Sequence, residues 1–250
     1  MAKQSGIIKL KGTIDDISFY KSSDGYLARA KGGVDAKRIK NDPAFQRTRE
    51  NGSEFGRAGK NAKLIRNSMR LLLQNAKDKR MVSRLTKDVL AVIKTDSANP
   101  RGQRIITEGN LKLIENFDFN INGKLGTTLY AAFTNDYDRA SGDSTLNIAS
   151  FQPKQRIAAP EGTTHYKITM AAAELNFVDE TFVFGSDDTG IVAYDDADTT
   201  VDLTASVSAN SNLMVIQVLG IEFFQMVNGV TYPLKNGNHN ALAIILTDEN

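Results

Sequence analysis

The first 31 residues alternate between apolar and polar side chains. Ile8, Leu10 and Ile14 fall on one side of this alternation, with lysine and threonine between them. A period of two residues is typical of a strand with one buried face. The pattern therefore predicts that this segment begins with a β-strand.

A β-hairpin is expected directly after this strand. The runs 17–21 and 26–31 flank Ser22-Ser23-Asp24-Gly25, and Asp-Gly supplies the positive φ that tight hairpin turns need. Residues 1–34 are therefore predicted to form a β-hairpin arm.

Between residues 35 and 120 the apolar positions follow a helical period, and three helices fit the segment. Asp42-Pro43 and Asn99-Pro100 each place an N-cap acceptor before a proline, which predicts a helix start at both sites. The stripe of the longest expected helix consists of Phe55, Ala58, Ala62, Ile65, Met69, Leu72 and Ala76. That of the next helix consists of Val82, Leu85, Val89 and Val92.

Basic side chains form rows beside these apolar stripes. The first row is Lys63, Arg66, Arg70 and Lys77, and the second is Arg80, Arg84, Lys87 and Lys94. Such rows can bind phosphates or an acidic protein surface, and they can equally be a solvated helix face.

Residues 121–250 are predicted to be an all-β domain. Val201, Leu203 and Ala205 alternate with polar residues, and Asn-Gly turns recur. The run 213–221 is nearly all apolar, as expected of a central strand covered on both faces, and Gly220 within it is interpreted as a bulge. About eight strands fit, so the fold class is α+β with a C-terminal antiparallel β-sandwich or jelly roll.

Charge is distributed unevenly between the two halves of the chain. Residues 1–120 contain 25 lysines and arginines against 13 aspartates and glutamates, whereas residues 121–250 contain 6 against 16. The halves therefore carry about +12 and −10. A basic half of this kind meets either a polyphosphate or the acidic face of another copy.

Composition limits the chemistry. The chain has no cysteine, which excludes disulfides and thiolate metal sites. No signal peptide or membrane span of ~20 apolar residues is visible, so a cytoplasmic location is expected, with release by lysis or a dedicated machine left open.

No catalytic, cofactor-binding or metal-binding residues are assigned, and no small-molecule substrate is identified. Gly52, Gly56 and Gly59 resemble a phosphate loop, but Glu54 and Asn61 stand where its motif needs glycine and a hydroxyl residue. The two histidines fit solvated surface positions. Acidic turns such as 187–188 and 195–198 can be solvated loops or Ca²⁺ ligands.

Three stretches resemble a family of uncharacterised bacterial proteins. They are GIIKLKGTI at residues 6–14, DPAFQRTRENG at residues 42–52 and LGIEFF at residues 219–224. The resemblance extends through most of the chain and implies a coherent two-part protein. It implies no activity, ligand or site.

The leading hypothesis is a non-enzymatic structural protein that forms a homo-oligomer: a filament, tube, ring or virion-like shell. Basic-to-acidic contacts would join the copies, and the arm residues Ile8, Leu10 and Ile14 would complete a neighbour's sheet. The alternative is a nucleic-acid-binding protein that uses the basic helices on the phosphate backbone. An enzyme with carboxylate chemistry is a third and weaker interpretation.

Overall fold

The computed structural model describes residues 2–30 and 33–249, without the side chains of Lys235 and Asn236. Met1, Lys31, Gly32 and Asn250 lie outside the described residues, and with them the predicted end of the second hairpin strand. The chain is 28% helix and 37% strand, and its sheets are antiparallel, which confirms the α+β class. It divides into two compact units, residues 1–50 and 51–250.

The first unit contains a four-stranded sheet in the order β1-β4-β3-β2. The hairpin predicted at the Asp-Gly turn is present as β3–β4, with Gly25 at a φ of +107°. The elements of this unit are β1 (Ala2–Lys3), β2 (Gly12–Ile14), β3 (Ile17–Ser22), β4 (Gly25–Ala30), helix α1 (Ala36–Asn41) and a 3₁₀ helix (Pro43–Phe45).

The first predicted strand is shorter than its alternation suggests. Ile8 lies in a bend and Leu10 lies outside any strand, so only Ile14 of the three arm residues belongs to one. The Gln4 side chain explains this difference. Its Oε1 accepts from the Leu10 N–H at 2.8 Å and its Nε2 donates to the Leu10 carbonyl at 3.2 Å, which closes a loop in place of a strand ladder.

Three helices follow: α2 (Gln46–Ser68), α3 (Arg70–Leu73) and α4 (Met81–Thr95). The expected start at Asp42 is confirmed, because its carboxylate caps the 3₁₀ turn that leads into α2. The long expected helix is interrupted after Ser68, whose hydroxyl donates to the Ile65 carbonyl at 2.8 Å and competes with the helical bonds there. Most of both apolar stripes is buried, but Phe55 is 59% exposed.

The prediction that a helix begins after Asn99 is wrong. Asn99 donates its side-chain N–H to the carboxylate of Asp96, so it does not cap a helix. A turn at residues 101–103 follows, and then two 3₁₀ helices, Ile106–Glu108 and Leu111–Ile114.

Nine strands, two short α-helices and a 3₁₀ helix (Leu234–Gly237) complete the described part of the second unit. A three-stranded sheet has the order β10-β6-β5. In a six-stranded sheet, β11 pairs with β7; β12 and β13 also pair with β11, and β8 and β9 with β7. The elements are α5 (Leu125–Thr128), β5 (Phe133–Asp138), β6 (Asp143–Phe151), α6 (Pro153–Arg156), β7 (His165–Asn176), β8 (Thr181–Asp188), β9 (Val192–Ala193), β10 (Thr199–Ser206), β11 (Met214–Val227), β12 (Val230–Pro233) and β13 (Ala241–Asp248).

The six-stranded sheet lies between two other layers. On β7, Ala171 and Ala173 face a core shared with α2, α3 and α4, whereas Met170 and Ala172 face a core shared with the three-stranded sheet. The prediction that run 213–221 is covered on both faces is confirmed for 214–221, which is buried throughout. The helices bury their stripes against the sheet, so residues 51–250 form one unit and no division falls near residue 120.

Gly220 does not mark a bulge. The register shifts between Gln217 and Val218, where β13 contains the extra residue Ile245. A Cβ on Gly220 would lie 3.1 Å from the Leu242 side chain, so close packing accounts for the glycine.

None of the helices in the described part of the chain is both long enough and apolar enough to span a membrane.

Candidate assembly surfaces

The predicted basic residues lie on the helical layer, and most are exposed. Six of the eight are exposed, namely Lys63, Arg70, Lys77, Arg80, Lys87 and Lys94. Arg66 and Arg84 are half-buried. Lysine and arginine at helical spacing beside a buried stripe thus cover the outside of this layer with positive charge.

Arg84 is engaged within the chain. Its guanidinium donates to the Asp78 carboxylate and, at 2.8 Å, to the Asp118 carbonyl, and it lies 4.9 Å from the Phe117 ring centroid. Burial raises the pKa of the Asp118 carboxyl above its ordinary value, although the Leu125 N–H and nearby cations oppose this. Arg84 therefore joins α4 to the segment after it and is less available to a partner than its neighbours.

The structure brings Arg66, Arg70 and Lys77 together around a cavity of 470 Å³. The cavity lies beside α2 and α3 and reaches Met81 at the start of α4. Among the described residues, none of these three cations forms an ion pair. Three of the eight predicted basic residues therefore line one cavity.

The outer face of the three-stranded sheet is acidic. Cross-strand partners point to the same side, and they form three rows across β5, β6 and β10. These rows are Thr134–Asn147–Asp202, Asp136–Thr145–Thr204 and Asp138–Asp143–Ser206. The sequences of all three strands lack lysine and arginine, so no cation within them offsets the four carboxylates.

Hydrogen bonds engage three of these four carboxylates. Ser206 Oγ donates to Asp143 at 2.6 Å, and Asn147 donates to Asp202. The N–H of Ala140 and the side chain of Ser141 lower the pKa of Asp138 below its ordinary value. The face thus presents four carboxylates, and its own strands supply no lysine or arginine.

The basic helices and the acidic sheet face lie on opposite sides of the six-stranded sheet within residues 51–250. Each outer layer is joined to the central sheet by its own apolar core. The second unit consequently has one positive and one negative outer face. The sequence predicts the two charge blocks, but their placement on opposite layers depends on the fold.

The sheet of the first unit has one apolar face. The register places Ile14, Ile17, Phe19, Ala28 and Ala30 on the same side. Of the described residues in 2–50, none is buried, and Ile14 is 57% exposed. The other two predicted arm residues do not belong to this face. Ile8 is 81% exposed and Leu10 is 42% exposed.

A second exposed apolar surface was missing from the sequence-based prediction. Strand β11 continues past the end of β7, and beyond Phe224 its strand partner among the described residues is β12. The tip of this hairpin exposes Met226, Val227, Val230 and Tyr232. The turn signal Asn228-Gly229 between apolar residues was the available clue.

Other candidate chemistry finds little support in the described part of the chain. A Cβ built on Gly52, Gly56 or Gly59 meets nothing within 4 Å, so these α2 glycines face open space and form no phosphate cradle. His165 lies beside Thr164, with 2.9 Å between Nδ1 and Oγ1. Within 2–30 and 33–249, His, Asp and Glu side chains form no group of three that could hold a metal ion.

The chain matches none of the protein-family models, curated proteins and solved structures with which it was compared. The resemblance of residues 6–14, 42–52 and 219–224 to a bacterial family therefore stays a prediction.

Proposed function

We propose that this chain is a non-enzymatic structural protein that assembles with copies of itself. The observation that carries the proposal is the opposite charge of the two outer layers of residues 51–250. A basic helical layer on one copy is complementary to the acidic sheet face of the next. The contact joins unlike faces, so it repeats from copy to copy.

This arrangement favours a head-to-tail contact over a two-fold one. A two-fold dimer through either layer would place like charges opposite each other, which is unfavourable. A head-to-tail contact closes into a ring if its rotation closes and otherwise extends into a filament or tube. A virion-like shell needs the same kind of repeated contact.

The arm provides the second contact in this proposal. A small sheet with an apolar face needs a covering layer to be stable in water. We assign that cover to a second copy, because the β11–β12 hairpin offers an apolar surface that also lacks cover. In this proposal residues 1–34 form the assembly arm, and the three-stranded and six-stranded sheets together form the predicted β-sandwich. Assembly takes place in the cytoplasm.

Charge reversal tests the charged contact. The triple variant K63E/K87E/K94E reverses the charge at three exposed positions of the helical layer, and D136K/D202K reverses it at two positions of the sheet face. We expect each variant alone to remain monomeric at low salt, where the parent protein assembles, because like charges then face each other. An equimolar mixture restores both junctions and should form alternating assemblies.

Sedimentation velocity and negative-stain imaging measure the outcome. The matched control is K112E/K124E/R156E, which changes three exposed cations elsewhere and should assemble like the parent. A parent protein that stays monomeric at high concentration and low salt, or variants that fail to complement each other, would contradict the proposal.

Nucleic-acid binding is the alternative, and the row of exposed cations on α2 and α4 favours it. In that case the parent protein binds random-sequence DNA at about 150 mM salt, with affinity that falls steeply as salt increases. We expect negligible DNA binding there, because the acidic sheet face repels a polyanion.

A further inference from the structure

We infer that the cavity lined by Arg66, Arg70 and Lys77 is a phosphate-binding site. The inference depends on the side chains around this cavity and not on the proposed assembly. Three cations line it, and no described carboxylate forms an ion pair with any of them. Such a set is electrostatically unfavourable in the empty protein and becomes favourable when an anion enters.

The hydrogen bonds of the three cations leave their charged groups available. The described contacts of Arg66 consist of one bond, from Nε to the Ala62 carbonyl at 3.1 Å, so its two Nη groups remain free to donate. Arg70 and Lys77 make no hydrogen bond to any described residue. Arginine is suited to phosphate, because its planar guanidinium can donate two parallel bonds to adjacent oxygens.

The one acidic residue at the cavity does not serve as their counter-ion. Asp78 accepts from the Arg80 N–H at 2.6 Å, from the Ile121 N–H at 3.0 Å and from the Arg84 guanidinium. Burial acts to raise the pKa of Asp78, but these bonds lower it below its ordinary value. Its charge is thus already compensated by groups outside the three cations.

The remaining lining of the cavity fits a phosphate that carries an organic body. Asn67 and Gln74 add neutral amide donors, and Leu73, Met81 and Val82 supply apolar surface. The volume of 470 Å³ lies within the range of small-ligand sites, about 300–1,000 Å³. Three unpaired cations also favour a ligand with several negative charges, such as a diphosphate, over a single carboxylate.

Calorimetric titration with inorganic pyrophosphate tests the site at a protein concentration where sedimentation shows a monomer. We expect saturable binding that R66Q/R70Q weakens by about tenfold or more, because charge-assisted hydrogen bonds are lost. The matched control K87Q/K94Q removes the same net charge from exposed positions on α4 outside the cavity lining. It should leave the affinity for pyrophosphate nearly unchanged.

A second variant guards against a folding defect. Val82 is 46% exposed at the cavity, so V82E places a carboxylate there without disturbing the core. We expect V82E to keep the circular dichroism spectrum of the parent and to lose pyrophosphate binding. Equal weakening in R66Q/R70Q and K87Q/K94Q, or no pyrophosphate binding at all, would overturn the inference.

The source of the phosphate is decided by competition. A random-sequence DNA duplex that binds through Arg66 and Arg70, and that pyrophosphate displaces, identifies a nucleic-acid backbone as the ligand. Pyrophosphate binding without duplex binding identifies a small phosphate compound. Both outcomes support a phosphate site, and both leave the assembly experiment to be judged separately.

Discussion

Asp96 shows how one buried side chain organises a loop. It follows α4, and its Oδ1 accepts from the N–H groups of Ala98 at 2.8 Å and Asn99 at 3.0 Å. Its Oδ2 accepts from Asn99 Nδ2 and from the Ile105 N–H, both at 2.9 Å. One carboxylate thus satisfies four donors of a segment that has no regular structure.

The change Asp96→Asn is expected to destabilise the second unit. An amide nitrogen in place of either oxygen leaves two donors facing a donor, which costs about 2–4 kcal/mol of the free energy of unfolding. Urea denaturation followed by circular dichroism measures the loss. Asp88→Asn, within α4, serves as the control and should change the stability little.

The pH dependence follows from the same hydrogen bonds. Burial acts to raise the pKa of Asp96, but the donors from Ile105, Asn99 and Ala98 lower it from 3.8 to about 2. Because the pKa is lowered by folding, this stabilisation is fully present above about pH 4 and is lost as the pH falls towards 2. The Tm difference between the parent and Asp96→Asn should therefore shrink over that interval, and a constant difference would contradict this role.

At the scale of elements, the two sheets approach each other closely where β8 meets β10. A Cβ built on Gly185 in β8 would lie 2.2 Å from the carbonyl oxygen of Ser206 in β10. Real side-chain carbons do not come this close to a backbone oxygen. The glycine therefore permits the six-stranded sheet to curl towards the three-stranded one.

The change Gly185→Ala should lower stability by about 3 kcal/mol, because the backbone of β8 or β10 must move to admit a methyl group. Thermal denaturation of the purified protein measures the effect. Gly126→Ala in α5 is the matched control, since a Cβ there meets nothing within 4 Å and stability should not fall. Equal Tm values for the two variants would show that the close approach of Gly185 to Ser206 does not affect stability.

At the scale of the whole molecule, the arm and the second unit are expected to be separable. The two core clusters, which unite the helices and the sheets, contain no residue before Ala58. Deletion of residues 1–15 removes β1 and β2, including Ile14 on the apolar face, but no part of either core. The second unit should therefore fold without it.

We expect the truncated protein to keep the Tm of the parent and to lose assembly, as measured by calorimetry and light scattering. The control is K9S/K11S, which removes two charges from the same segment and retains the apolar face. Normal assembly of the truncated protein would instead show that this face belongs to its own chain.

Patterns that depend on near neighbours were predictable. The alternation of Val201, Leu203 and Ala205 predicted β10, and the Asp24-Gly25 turn predicted the hairpin, because strand period and turn geometry are local properties. Most residues of the two apolar stripes are buried, as their spacing predicts. The helix predictions were wrong at Ser68 and Asn99. Their side chains form hydrogen bonds that the spacing of apolar residues does not reveal.

The α+β class, the hairpin, the positions of the apolar stripes and the division of charge between the two halves are predictable from the amino-acid sequence. These follow from composition and from contacts within a few residues. That the helices share a core with the β-sheet, and that basic and acidic surfaces lie on opposite layers, became visible once the chain was folded. The fold also distinguishes Arg84, which donates to Asp78 and Asp118, from Arg66, Arg70 and Lys77, which line one cavity and form no ion pair within the described residues. These contacts join segments that are far apart in the chain, so a pattern of near neighbours does not contain them. Two arginines with similar sequence surroundings therefore differ in their contacts because the fold brings different residues next to each.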